Sequence, residues 1–567
     1  MSLDDGWLNG HLFIPDGPVT RLCLICPPLF EERKTAALPL TQLARALTAQ
    51  GVAALRFDYR GTGDSSGDFA EYALTDWLTD TQTARHWLTT QFPGPPVIVF
   101  GLRFGAVPAL NTRQTGDRLL LWEPVIAGED YLLGELRKKL MKEMLTFGAA
   151  RADRDALVAE LTAGRTVDLD GYPLTARQFQ EIAAVNLAAD SAGLALAAAD
   201  TFAIGPSGRA SAPLAALAEA LKACGPVTTH TYKMQAFWNQ IGQIDCSELI
   251  TGTVAALTKD PAPPSPAVRT APALDGTQLT SPEASSEQPV RIASQGESLR
   301  GILHRPQTAP DSGVGVVFCH GWSGGRLGPH RMFVKTARQL ADLGVTCLRL
   351  DFRGRGESDA DGGTYGIDTM SEDARAGIDY LVSKVGVRTV VLLGICSGAK
   401  VAIAAAVADS RVAGLALWSA EGLGSIREAS TNRKKTGNAL KTYARKLLRP
   451  ATWKKIITGK VDTASVRKAV LTHETRSAEE AARETTILKQ FAGFKGPLLF
   501  VYGGNDPDTE LAGRNYETFC RNNRRDVQSH VIPEANHSFY SLDWETAVIT
   551  HTCDWLNTQF SNNKDMR

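Results

Sequence analysis

A cysteine stands between two glycines in Gly394-Ile395-Cys396-Ser397-Gly398, directly after the apolar run Thr389–Leu393 and just before an alanine-rich stretch that begins at Ala399. Strand, five-residue turn and helix make a sharp elbow. Its glycines, Gly394 and Gly398, leave room for close backbone approach, and its central residue is held up in strained geometry. A thiol there meets the N-terminal end of a helix, whose dipole and free N–H groups favour the thiolate, so Cys396 is the candidate nucleophile. Ser397 is the weaker candidate, because the elbow exposes its central residue rather than the next one. Taken alone, the pattern describes a buried structural cysteine in a glycine-containing turn equally well.

What lies before and after the elbow changes that balance. Downstream, Asp506 follows the apolar run Leu498–Tyr502, and His537 lies in the loop after Val527–Ile532. Nucleophile, acid and histidine in this order suit a doubly wound sheet carrying an acyl-transfer triad. Asp508, two residues on, is the second candidate for the acid. Upstream, His320-Gly321-Trp322-Ser323-Gly324-Gly325 follows the run Val314–Cys319. Such a loop could turn the Trp322 N–H toward an oxyanion, with the Ser397 N–H as the second donor. Singly, Asp506 reads as a turn residue in Asn-Asp-Pro and His537 as a solvated loop histidine.

The elements that must position these groups occur twice. Leu55–Ser65 (LRFDYRGTGDS) matches Leu348–Ser358 (LRLDFRGRGES) at an offset of 293 residues, and the same offset sets GLRFG at Gly101 on GICSG at Gly394. An in-step match of this length points to duplication of a whole domain, far longer than a solenoid repeat. Both halves alternate short apolar runs with amphipathic stretches of helical period, the pattern of a mostly parallel sheet with helices on both faces. Such sheets form their sites beyond the carboxyl ends of the strands. The Pro- and Ser-rich segment 259–289 reads as a linker between a domain at 1–258 and a second at 290–567.

Composition bounds the rest. The 567 residues hold 61 basic and 61 acidic side chains, so no net field marks a nucleic-acid binder. GxGxxG and GxxxxGKS are absent, and no cysteine or histidine pairs complete a metal site, so no cofactor and no metal are expected. Nine cysteines, several inside apolar runs, read as reduced thiols; Cys23 and Cys26 would point to opposite sheet faces. The acidic start, without a basic and apolar leader, and the lack of an 18-residue apolar run point to a cytoplasmic protein.

The second half thus resembles an α/β-hydrolase, with cysteine at the elbow as in dienelactone-hydrolase-like members of that fold. Both halves, the linker apart, resemble the paired α/β-hydrolases associated with exosortase A exopolysaccharide loci. PPLFEERKTA at Pro27, GLRFGA at Gly101 and LWEPV at Leu121 match one partner; GICSGA at Gly394 and a basic cap match the other. The resemblance implies two tandem α/β-hydrolase domains, each with a helical cap insertion, and a setting in exopolysaccharide production beside acyl-activating enzymes. Acyl groups are the substrates this suggests, on an ester or a thioester, carrier- or CoA-linked.

The first half departs from the catalytic pattern throughout. Arg103 takes the elbow position, Gly208 stands opposite Asp506, Phe237 opposite His537, and Pro27-Pro28-Leu29 replaces the glycine-rich loop although proline supplies no N–H. This half is expected to be non-catalytic. Arg103 at a helix start could bind a carboxylate or phosphate. The simpler expectation is an internal ion pair with Glu31, Glu32 or Glu123.

The cap of the second half, about 421–495, is basic: from Thr431 to Lys460 it has ten Lys or Arg and no acidic residue. Leu440, Tyr443 and Leu447 fall at helical spacing, Pro450 breaks the run, and Trp453, Ile456 and Ile457 resume it. The stretch reads as a solvated helical surface, as a lid that attracts an anionic acyl phosphopantetheine thioester, or as a peripheral contact with an anionic membrane. The leading function is a hydrolase working through Cys396, His537 and Asp506 and an acyl-enzyme. An acyltransferase using the same intermediate is the alternative, and a non-catalytic binding or assembly protein the third.

Overall fold

The computed structural model describes residues 1–193, 195–240, 242, 244–258, 287–360, 365–427 and 477–561. The first half forms strands β1 (Gly10–Phe13), β2 (Arg21–Cys26), β3 (Val52–Phe57), β4 (Val97–Leu102), β5 (Arg118–Trp122), β6 (Ala198–Gly205) and β7 (Val227–Lys233). The second forms β8 (Glu287–Ser294), β9 (Glu297–His304), β10 (Val314–Cys319), β11 (Thr346–Asp351), β12 (Thr389–Ile395), β13 (Val412–Trp418), β14 (Leu498–Gly503) and β15 (Val527–Ile532). The first sheet has seven strands in the order β7-β6-β5-β4-β2-β3-β1, and the second has eight in the order β8-β9-β11-β10-β12-β13-β14-β15. One order maps onto the other strand for strand, with β8 added at one edge. Only the pairings β1–β3, β8–β9 and β9–β11 are antiparallel within these sheets.

Burial on both faces explains why the strands read as continuous apolar runs rather than alternating ones. Along β2, Leu22, Leu24 and Cys26 enter one core layer while Cys23 and Ile25 enter the other, so the two thiols do face opposite sides. Along β10, Val317 and Cys319 pack on one side of the second sheet, and Val314, Val316 and Phe318 on the other. Between β5 and β6 the first half carries a cap of helices Gly128–Phe147, Arg154–Thr162 and Ala176–Ala183 around a hairpin, Val167–Leu169 and Tyr172–Leu174. In the second half the helix Ala478–Phe491 is described, whereas the basic stretch 431–460 falls outside the described residues, as does the linker from 259 to 286.

The halves meet through the duplicated motif itself. Arg349 on β11 donates to Asp64 of the first half at 2.8 Å, and its counterpart Arg56 on β3 donates to Glu357 of the second. Arg326 bonds Asp351 of its own half, Glu357, and Asp64 across the interface at 2.8 Å. Its counterpart Arg33 bonds Asp58 of its own half at 2.5 Å and reaches Glu357 across the interface at 3.8 Å. The outer arginines repeat the relation, Arg45 donating to the Ser358 carbonyl at 3.0 Å and Arg338 to the Ser65 carbonyl at 2.9 Å. Gly63 and Gly356 have φ near 50°, and a Cβ on either would strike the carboxylate of Asp58 or Asp351, so the loop needs glycine twice over. The Arg349 and Asp64 side chains are wholly buried.

A buried charge stripped of its partner costs far more than a surface pair is worth. Asp64→Ala would leave Arg349 and Arg326 short of a carboxylate, and it should lower unfolding free energy by about 3–5 kcal/mol in urea titrations.

The same cluster sets a pH dependence. Burial, with Arg349 and Arg338 adding to it, holds His304 well below the ordinary imidazole range. Burial alone would raise Asp64 and Glu357, but their arginines outweigh it and hold both carboxyls low. In every case the unfolded chain binds the proton first, so stability is lost as pH falls: through about 6.5 for the histidine, then through about 4 for the carboxyls. Calorimetry should show a melting temperature that declines from pH 7 to pH 4; a flat profile would contradict the charge assignment.

Candidate active site

Four loops leave the carboxyl ends of β10, β12, β14 and β15 and carry the residues singled out above. Cys396 follows β12 with φ 59° and ψ −125° and heads the helix Ser397–Ala408. A Cβ on Gly394 would fall 2.5 Å from the Gly398 carbonyl oxygen, and one on Gly398 would fall 2.2 Å from that of Cys319. Cys396 is partly exposed, while the other eight cysteines are buried.

Asp506 caps the helix Pro507–Asn522, accepting from the Thr509 N–H and hydroxyl, and its other neighbour is His537, with Nδ1 to Oδ2 at 2.6 Å. Those hydrogen bonds and the histidine charge hold Asp506 below the usual carboxylate range against the opposing effect of burial. Burial by itself would lower His537; hydrogen bonds with Asp506 and Cys396 and their charges outweigh it and push His537 up to about 11. The three residues therefore converge. The side chain of Asp508 lies outside the described residues.

The glycine-rich loop is held from both ends. Burial pushes His320 down to about 4, and the neutral ring faces the Gly321 carbonyl through Nδ1 at 2.8 Å while Nε2 accepts the Phe352 N–H at 3.1 Å. Arg355 holds the Trp322 carbonyl at 2.7 Å. The Trp322 N–H donates to the Ser397 hydroxyl at 3.0 Å. An oxyanion seated there would have to displace that hydroxyl.

A group not singled out in the sequence completes the site. Glu421, at the end of β13, accepts the Cys396 thiol at 3.1 Å and is held by the buried Lys400 at 2.8 Å. Burial would raise Glu421, but Lys400 and the thiol keep it below its ordinary range. An acidic residue three positions past a core strand, and a lysine one turn into an otherwise apolar helix, are the signals that point to this pair.

Three solved structures similar to this chain are a dienelactone hydrolase from Anabaena variabilis, Est1E from Butyrivibrio proteoclasticus with ferulic acid bound, and an esterase from Pyrococcus furiosus. Identities are 17%, 16% and 18%, TM-scores 0.32, 0.35 and 0.33, and each match covers 48% of this chain and 98%, 100% and 91% of the other. No curated protein sequence matches. Residues 316–549 match the model of the alpha/beta hydrolase family, and residues 36–154 match that of serine aminopeptidase, S33. The chain is an α/β-fold hydrolase.

Within this hydrolase the first half keeps the elbow backbone and carries an arginine at its centre. Gly101 and Gly105 are as crowded as their counterparts, and Arg103 has φ 53°. Its guanidinium donates to Glu32 at 3.3 Å and to the Glu123 carbonyl at 3.2 Å, and it lies 5.2 Å from the Trp238 ring centroid. Of the two outcomes foreseen for Arg103, the geometry is that of the internal ion pair. Gly208 turns with φ 61°, and Phe237 is buried against Trp122 and Trp238. Among the described residues no helix is long and apolar enough to cross a membrane.

Exposure and charge make the thiols unequal. Burial pushes Cys520 up to about 11 and Cys246 and Cys553 up to about 12, so little thiolate exists on them at neutral pH. Brief iodoacetamide treatment followed by peptide mapping should find Cys396 modified first and at least tenfold faster than Cys520 or Cys553.

Proposed function

We propose that the second half cleaves an ester or thioester through an acyl-Cys396 intermediate, with His537 as the proton carrier and Asp506 orienting it. The observation that carries this reading is the strained elbow thiol set between His537 and Glu421, with His537 bonded to Asp506 at 2.6 Å. With the proton held on His537, the Sγ electron pair attacks the acyl carbon. The carbonyl oxygen becomes an oxyanion, which the Trp322 and Ser397 N–H groups hold once the Ser397 hydroxyl has moved aside. Collapse breaks the bond to the leaving alcohol or thiol, which takes the proton from His537. Water, deprotonated by the same imidazole, then attacks the Cys396 thioester, and the acid leaves as Sγ recovers a proton. Glu421, fixed by Lys400, holds the thiol between turnovers.

In this reading the first half, residues 1–258, takes no chemical part. The resemblance to exosortase-associated hydrolases supports a place in exopolysaccharide production. The ten basic residues of 431–460 support an anionic donor such as a carrier-bound acyl thioester.

Turnover of p-nitrophenyl acetate and acetyl-CoA by wild type, Cys396→Ala and His537→Ala tests the chemistry. Cys396→Ala should be inactive on both, and His537→Ala should lose at least about 10²-fold in kcat, the scale of a positioned general base. Full activity in Cys396→Ala would move the nucleophile elsewhere.

A further inference from the structure

The first half touches the second at the two loops on which the proposed chemistry depends. After the oxyanion loop, His330 and Arg331 take φ of 35° and 62°, a left-handed pair that L residues adopt only when the surroundings enforce it. The enforcement comes largely from the first half. Glu31 accepts the His330 N–H at 2.6 Å, and the Arg331 guanidinium is ringed by the carbonyls of Gly61, Gly63 and Ser65 at 2.6, 2.9 and 3.1 Å.

The buried His330 ring then joins that contact to the His537 loop. Nδ1 meets Glu545 at 2.5 Å, and Nε2 donates to the carbonyl of Ser538, the residue after His537, at 3.1 Å. Gly171, in the turn of the first-half hairpin, packs against this ring: its φ is 89°, and a Cβ there would fall 2.5 Å from Nδ1. Beside it Asp168 accepts the Leu542 N–H at 2.9 Å, and Lys335 links the Gly171 carbonyl at 3.3 Å to Glu545 at 2.7 Å. Lys142 lies over the Tyr540 ring at 4.7 Å, and Phe147 packs on Trp544 at 6.1 Å. All of these second-half partners stand within eight residues of His537 in sequence or within ten of Gly325.

We propose that the first half is a built-in brace whose hairpin and Glu31, working through His330, position His537 against Cys396. Asp168, Gly171 and Glu31 are positioning residues: none touches the reacting atoms, and each acts through a second-half loop. The inference rests on the chemistry proposed above and gives the non-catalytic half a function beyond stability. A misplacement of about 1 Å in a catalytic group is enough to cost up to 10²-fold in rate.

The test compares full-length wild type, Asp168→Ala, Asp168→Asn and Gly171→Val. Active Cys396 is titrated by its p-nitrophenol burst, kcat is expressed per titrated site, and hydrogen exchange is followed in peptides covering 534–544. Asp168→Ala and Gly171→Val should lose about 10- to 100-fold in kcat per site with KM changed less than about twofold, and exchange at 534–544 should speed up. Asp168 accepts the Gly171 N–H on Oδ1 at 2.8 Å and the Leu542 N–H on Oδ2 at 2.9 Å, so Asp168→Asn keeps one acceptor of the two and should fall between wild type and Asp168→Ala. Misfolding alone would reduce the number of titrated sites and leave kcat per site untouched. Equal kcat per site in all four proteins, or unchanged exchange at 534–544, would overturn the brace while leaving the Cys396 chemistry standing. A wild type that shows no burst would overturn the chemistry and the brace together.

Discussion

The arrangement depends on one buried charge network. Arg349 and Asp64 are sealed from water, each half supplies arginines to the other's carboxylates, and the same residues do so in both directions because they arose by duplication. Burying so many charges is costly unless they are paired, and more than half of the pairs exist only when the halves are together. The network therefore does not tolerate a loose or shifted interface: a small slip would strand several charges at once. This makes the relative position of the two sheets specific, and it is that position which lets a hairpin in one half set the geometry of a loop in the other.

Duplication also explains why the two halves share a fold while their elbows differ. The elbow in the first half still has its crowded glycines and its strained residue, but Arg103 there turns to Glu32 and the Glu123 carbonyl. Burial raises Glu32, with Arg103 opposing it, so the ion pair settles a carboxyl that would otherwise be costly to enclose. The elbow arginine is packed inside its own half, while the motif after β3 forms the interface.

Much of this was legible in the residues. Continuous apolar runs gave a doubly wound sheet, and the offset of 293 residues gave two of them; Gly394, Cys396 and Gly398 announced the elbow, and chain order brought Asp506 and His537 to it. Other features were hidden for physical reasons. RGTGDS and RGRGES showed kinship but not contact, since charged loop residues look solvated until a partner is known. Glu421 and Lys400 escaped notice because their pairing joins a helix to a loop with no shared spacing in the sequence. That the Trp322 N–H is taken by the Ser397 hydroxyl follows from side-chain direction, which no pattern of residue types encodes.

The central claim is that acyl transfer runs through one thiol in the second half. It is tested most directly by intact mass and peptide mapping after the full-length protein is mixed with a slowly deacylating aryl ester and quenched in acid within seconds. The account predicts one acyl adduct per chain on the peptide containing Cys396, absent from Cys396→Ala and long-lived in His537→Ala once formed. An adduct on another residue, or an equal adduct in Cys396→Ala, would contradict it.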